Sequence, residues 1–319
     1  VNAAPGDAPG PLRRRGYRLV GPRLDYVLHL RPAEWPIMAA HTTLGYLIAV
    51  GLHGAARGQA IGAAALGIAL WVVCLNGGTL AINSAFDNDE GDIAYLRRPP
   101  PPPQHLFGFG FGLMLMGLGI ALVVLPLAYS LAYIVCLAMS VVYSVPPVRL
   151  KAVAGADWII NMIGFGTLTP FAGWATTGRA LDMAHGLVLL AFCPLFAALY
   201  PLTQLYQMDE DRARGDRTLA LRLGLTRSLD VALVAALVAF VLLLVAGVQS
   251  EWNAADAGRW AALGAGAAAW AAVLLPWRMR SGRMTRAAHQ RGMYLALGAW
   301  AVTDIGVALA WGIWPLGRA

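Results

Sequence analysis

Two acidic clusters stand where long apolar runs end. The first reads Asn83-Ser-Ala-Phe-Asp87-Asn-Asp89-Glu90-Gly-Asp92, the second Gln207-Met-Asp209-Glu210-Asp211-Arg-Ala-Arg-Gly-Asp216. They hold eight of the 17 acidic residues, and carboxylates beside a bilayer are costly enough that such clustering needs a reason. Oxygen donors from Asp87, Asp89, Glu90 and Asp92, facing others from Asp209 and Asp211, suit divalent cations. Mg²⁺ in particular binds through one or two carboxylates plus phosphate and water. The chemistry that needs this arrangement is heterolysis of a carbon–oxygen bond, where a departing diphosphate gains negative charge.

Spacing supports the pairing. Asn83 and Asp87 lie four apart, on one helical face, and Gln207 and Asp211 repeat that interval. The repeat suggests an ancient duplicated four-helix unit. A third polar element, Tyr143-Ser144-Val-Pro146-Pro147-Val-Arg149-Leu-Lys151, ends another apolar run. Arg149 and Lys151 would clamp phosphate from the side opposite the metals. Arg217 offers the guanidinium fork that matches phosphate. Arg97 and Arg98 stand close behind the first cluster, as ion-pair partners or as further phosphate ligands.

The elements that must position these residues are membrane helices. The chain is 58% hydrophobic and 13% charged, with mean hydropathy +0.60, against about 25% charged in an ordinary soluble domain. Nine apolar runs are expected to span, at 36–53, 61–86, 106–124, 126–144, 157–176, 184–206, 229–248, 258–277 and 292–313. Backbone amides in lipid must be satisfied within each segment, so the spans are helices. The segments before span one and after spans two, four, six and eight carry 20 of the 24 Lys and Arg. That bias puts the N-terminus and both clusters in the cytoplasm and the C-terminus outside, in an inner or plasma membrane. Basic residues dispersed this way exclude a nucleic-acid binder.

Residues 1–30, rich in Pro, Gly and Arg, read as a cytoplasmic tail, and 31–319 as a single transmembrane domain. The run Pro99 to Pro103 forces an extended loop. Cys74, Cys136 and Cys193 fall inside spans without zinc spacing and read as small buried residues. Gly108, Gly110 and Gly112 read as a helix contact rather than a nucleotide loop. His41, Tyr46, Asn76 and Asn161 read first as hydrogen bonders between helices, with Asn161 one turn after Asp157. Asp304 is an unusual acid in the last span.

With these motifs in order, the chain resembles the UbiA-type intramembrane prenyltransferases over roughly residues 25 to 313. Asn83 and Asp87 match the first two positions of that family's Asn-xxx-Asp-xxx-Asp motif. Gly91 falls at the third, flanked by Asp89, Glu90 and Asp92. Asp211, Gly215, Thr218 and Gly224 fit the ending of the second motif, while Gln204 and Gln207 stand where Asp is common. Tyr143 to Lys151 fits the family's ending of helix four. The resemblance implies an all-α bundle of nine helices around a central cavity with polar cytoplasmic loops. It implies Mg²⁺, a prenyl diphosphate and a lipophilic acceptor, with catalysis by Asn83, Asp87, Lys151 and Asp211. Metal ligands would come from Asp87, Asp89, Glu90, Asp92, Asp209 and Asp211. The substrate-binding set would be Arg97, Arg98, Tyr143, Arg149, Asn161, Gln204, Gln207 and Arg217. The altered second motif keeps a membrane terpene cyclase as the alternative. A transporter or lipid-binding scaffold fits less well, because the polar clusters lie at span ends rather than at mid-membrane breaks.

Overall fold

Long apolar runs bounded by Pro, Gly and charge become helices here, as a lipid environment requires. The computed structural model describes residues 10–87, 96, 98–153, 155–214 and 218–313. Two short helices lead, α1 (Pro11–Val20) and α2 (Leu24–His29). The bundle proper contains α3 (Trp35–Ala56), α4 (Ile61–Asp87), α5 (Leu106–Val124) and α6 (Leu127–Ser144). A helical run over 156–175, α7, follows, then α8 (Met183–Gln204), the short α9 (Met208–Arg214), and α10 (Leu219–Gln249). The last two are α11 (Ala257–Arg280) and α12 (Arg286–Val307).

Among the described residues, eight helices are long and apolar enough to cross a membrane. The expected fifth span, α7, is helical throughout but is not among them. Its Asp157, Asn161, Thr167 and Thr169 dilute its apolar character. The helix α10 begins ten residues before the expected span, because Arg222 and Arg227 ended the apolar run but not the helix. A stripe of α10, including Leu237, Val241, Leu244 and Val248, remains exposed, as expected for a face turned to lipid.

The leading segment is not a plain tail. Pro at its first helical position favours the start of α1, and Arg13 Nη1 donates to the Arg98 carbonyl at 2.7 Å. His29 Nε2 lies 3.1 Å from the Pro100 carbonyl. These two contacts strap α1 and α2 across the proline run, which is non-helical over Pro99–Pro103 as expected.

Glycines set the tightest approaches. Gly110 of α5 lies against Gly78 of α4, where an added Cβ would meet the Gly78 carbonyl at 2.9 Å. Gly108 and Gly112 have open space around them, so one of the three glycines makes the expected contact. Gly224 takes φ +75° inside α10, a conformation only glycine adopts without strain. Cys74 and Cys136 are buried and Cys193 half-buried, all as free thiols. His41 of α3 reaches Asp304 of α12 at 3.3 Å and the Gly166 carbonyl of α7 at 3.4 Å. It therefore links three helices, and Asp304 finds its partner across the bundle. Tyr46 donates to the Gln59 carbonyl at 2.7 Å, closing the α3–α4 turn.

Candidate functional site

The helices α4 and α6 run in the same direction and are joined by two polar rungs. Thr79 Oγ1 and Ser140 Oγ lie 2.7 Å apart, and one turn further on Ser144 Oγ donates to Asn83 Oδ1 at 3.4 Å. Past Ser144 the chain turns back. Arg149 adopts φ +34°, and a single 3₁₀ turn, Leu150–Ala152, carries Lys151 onto the end of α4. Lys151 Nζ donates to Asn83 Oδ1 at 2.9 Å and contacts the Asp87 carboxylate. Arg149 Nη2 donates to Asp87 Oδ1 at 3.3 Å. Lys151 and Asp87 keep only 12% and 16% of their side-chain surface exposed, whereas Arg149 keeps 42%. The Lys151 contact is thus the less screened of the two.

Beneath this cluster lies a cavity of about 140 Å³. Asn83, Thr79, Asn76 and Trp71 line it from one face of α4, with Tyr143 from α6 and Asn161 from α7. Its far end is crossed by a hydrogen bond from Trp71 Nε1 to Thr169 Oγ1 at 3.2 Å. At about 1.5 Å per helical residue, Asn83 and Trp71 are separated by roughly 18 Å along α4. Both helices carry a π-helical stretch here, Leu70–Asn76 in α4 and Met162–Leu168 in α7. Such stretches are common at functional sites because they rotate side chains out of regular register. Leu75 and Asn76 from the first, and Gly164 and Phe165 from the second, line the same cavity.

The second acidic motif contributes unequally. Asp211 is buried on α9, and its N–H bonds to the Gln207 carbonyl at 2.9 Å, so the i,i+4 spacing is one helical turn. Asp209 points away, its exposed carboxylate paired with Arg212 at 3.0 Å. Gln204 Oε1 accepts from Ala220 N at 3.1 Å, and Thr218 Oγ1 from Leu221 N at 3.4 Å. These two therefore cap α10, satisfying amides a helix start leaves open. Gln207 Nε2 donates to Tyr206 OH at 2.9 Å. Among the described residues, no three His, Cys, Asp or Glu side chains gather closely enough to hold a metal by themselves. Asp89, Glu90, Asp92, Arg97 and Arg217 lie outside the described residues. Arg98 is exposed, with its carbonyl held by Arg13.

Sequence reasoning passed over three groups. Ser144 completes the grip on Asn83, and its i,i+4 relation to Ser140 was the available signal. Arg31 is buried, with Nη2 at 3.5 Å from Ser84 Oγ, although it read as one more topological charge. Glu34 is buried beside Arg31, and desolvation pushes its carboxyl above the usual range.

The described residues form a helical membrane bundle with a cationic, oxygen-rich mouth over a mainly apolar cavity, and the family profile gives the class: an intramembrane prenyltransferase. The chain belongs to the UbiA prenyltransferase family, whose profile matches residues 42–298. Its fold is similar to that of a UbiA homologue from Archaeoglobus fulgidus solved with DMAPP and Mg²⁺. That likeness has a TM-score of 0.62 at 17% identity, over 89% of this chain and 99% of that one. The same homologue with GPP and Mg²⁺ gives 0.59 at 18% identity, with 89% and 99% covered. A structure of digeranylgeranylglyceryl phosphate synthase gives 0.66 at 14% identity, over 90% of this chain and 97% of that one. No curated protein matches the chain by sequence. At these identities the structural likeness speaks for the fold, and membership rests on the profile.

Proposed function

We propose that the protein transfers a prenyl group from a prenyl diphosphate to a lipophilic acceptor, with Mg²⁺ as cofactor and release of diphosphate. The observation that carries this reading is Lys151 bridging Asn83 and Asp87 at the mouth of the apolar cavity. Asn83 Oδ1 and the Asp87 carboxylate are hard oxygen donors drawn together by the Lys151 ammonium, and with Lys151 turned to phosphate the same oxygens would suit Mg²⁺. Bound Mg²⁺ neutralises charge on the leaving diphosphate. Asp89, Glu90 and Asp92 would supply further oxygens beside Asp87, and Asp211 would do so from the second motif.

Lys151 and Arg149 grip phosphate oxygens, the first as a point charge and the second through its fork. The tail lies along α4 towards Trp71. The mainly apolar lining disfavours water around the allylic cation, which water would quench. The Lys and Arg bias places this mouth and the N-terminus in the cytoplasm, with residues 31–319 as one catalytic domain.

The test incubates purified protein with Mg²⁺ and prenyl diphosphates of several lengths, with and without membrane extract. A prenylated lipid that appears only with extract is expected. A cyclic hydrocarbon formed without extract would assign cyclisation instead. Absence of diphosphate release from every substrate would overturn the reading.

A further inference from the structure

Beside the diphosphate grip, a second polar group reaches the cavity from another direction. Asp157, at the start of α7, is 3% exposed. Its Oδ1 accepts from Gly155 N at 2.9 Å, and its Oδ2 accepts from Tyr200 OH of α8 at 3.0 Å. Tyr143 of α6 stands next to Tyr200, and Asn161 next to Tyr143. Asn161 Nδ2 also donates to the Asp157 carbonyl at 2.8 Å, which closes the network. Tyr143 and Asn161 line the cavity, whereas Asp157 and Tyr200 do not.

The bonding has a direction. Tyr200 has one hydroxyl proton and gives it to Asp157, which leaves its oxygen open to accept from the neighbouring Tyr143. Tyr143 lines the cavity, and its hydroxyl can both donate and accept. Asp157 is a buried carboxylate with no Lys, Arg or His within ion-pair distance among the described residues. Such a group needs a use, since burying it without a cation is costly.

We infer that Asp157 is the terminal proton acceptor of the prenyl-transfer reaction, reached from the cavity through Tyr143 and Tyr200. The inference rests on the transferase reading above. As the allylic carbon–oxygen bond breaks, its electron pair leaves with diphosphate. An electron pair of the acceptor forms the new bond to the allylic carbon. The acceptor's own bond to hydrogen then breaks, returning its electrons to the acceptor and passing the proton to the Tyr143 oxygen. Tyr143 hands its hydroxyl proton to Tyr200, and Tyr200 hands its own to Asp157 Oδ2. The charges balance, and no other reagent is needed. The titratable groups facing this chain are Arg31 beside Tyr143 and Lys151 on the adjoining 3₁₀ turn, itself held by Asp87 and Asn83. Asp157 and Tyr200 act through Tyr143 and are positioning residues, while Tyr143 meets the substrate.

Asp157→Asn removes the proton acceptor while its amide oxygen still accepts from Tyr200; it gives up the Gly155 N–H bond, so it is read together with Tyr200→Phe, which leaves that bond in place. The expected result in the full-length protein is a roughly 100-fold lower kcat, the lower end of what a general base contributes. KM for prenyl diphosphate should stay within about twofold. A solvent deuterium isotope effect on kcat in the wild type should disappear in the variant. Tyr200→Phe, which keeps the ring and removes the middle carrier, should lower kcat similarly at unchanged KM. An active wild type whose two variants keep kcat within about threefold and the same isotope effect would overturn the relay alone. A loss seen in KM rather than kcat would also overturn it. A wild type that releases no diphosphate would overturn the transferase reading and the relay together.

Discussion

Lys151 Nζ sits 2.9 Å from Asn83 Oδ1 although 68 residues separate the two in the chain. The bond joins the second span to the segment after the fourth, and the same ammonium also contacts Asp87. Lys151→Met removes the charge but keeps the stem, leaving Asp87 with the more exposed Arg149. The expected effect is about a tenfold rise in KM for prenyl diphosphate, equivalent to ~1.4 kcal/mol. Steady-state diphosphate release at saturating Mg²⁺ measures it, and an unchanged KM would remove Lys151 from the phosphate grip.

Two acids of the candidate metal set make opposite predictions. Asp87 is mostly buried against Lys151, whereas Asp209 is exposed and, among the described residues, pairs with Arg212. Asp87→Asn should cut Mg²⁺-dependent turnover by about 100-fold or more, the scale of lost electrostatic stabilisation in a water-poor site. Asp209→Asn should stay within about twofold. Equal effects in a Mg²⁺ titration of both variants would contradict this division.

Cavity length should select the tail. Trp71 crosses the far end of the cavity, bonded to Thr169. Trp71→Ala opens space beyond that point, so preference should move to longer prenyl diphosphates, read as a ratio of kcat/KM values. A preference that stays put would place the tail elsewhere. The variant should also lose ~3–5 kcal/mol of stability, as large-to-small changes in packed cores do.

The glycine contact between α4 and α5 is testable in a matched pair. A Cβ at Gly110 would meet the Gly78 carbonyl at 2.9 Å and Ala81 Cβ at 3.0 Å, whereas one at Gly112 would meet nothing within 4 Å. Gly110→Ala should therefore lower the thermal midpoint in detergent, with ~1–3 kcal/mol lost to overpacking. Gly112→Ala should hold or raise it, because glycine inside a helix costs ~0.5–1 kcal/mol relative to alanine.

Acid should loosen the strap over the proline run. Burial holds the His29 imidazole below its ordinary value of 6.5, and its Nδ1 is buried without a hydrogen-bond partner. The folded state therefore binds fewer protons than the open one. The stabilisation is fully present above pH 6.5 and is lost as pH falls from there through the depressed folded value. Amide-exchange protection of α2, corrected for intrinsic rates, should drop between pH 7.5 and 5. His29→Phe should abolish that dependence.

Which parts were legible follows from where the information sits. The Asn83–Asp87 interval, the basic pair Arg149 and Lys151, and the order of three motifs are local patterns. They pointed to the family and to one end of the bundle before any coordinates. Local charge also misled. The arginines of α10 hid the true start of that helix, and no local pattern marked Gln204 as its cap. The Pro, Gly and Arg content of the first 30 residues concealed two helices.

By itself the sequence determined that this is a membrane bundle, because composition and hydropathy act residue by residue. It also determined which residue types meet at the polar ends, because helical periodicity places i and i+4 on one face. Only the tertiary structure decided the partners. It chose Lys151 for Asn83 and Asp87, Arg212 for Asp209, and Tyr200 for Asp157. Those pairings depend on how helices distant in sequence are rotated and spaced, through contacts such as Gly78 against Gly110 and the π-helical turns of α4 and α7. A shift of a few ångströms would break every one of these hydrogen bonds, and no one-dimensional pattern encodes distances that small.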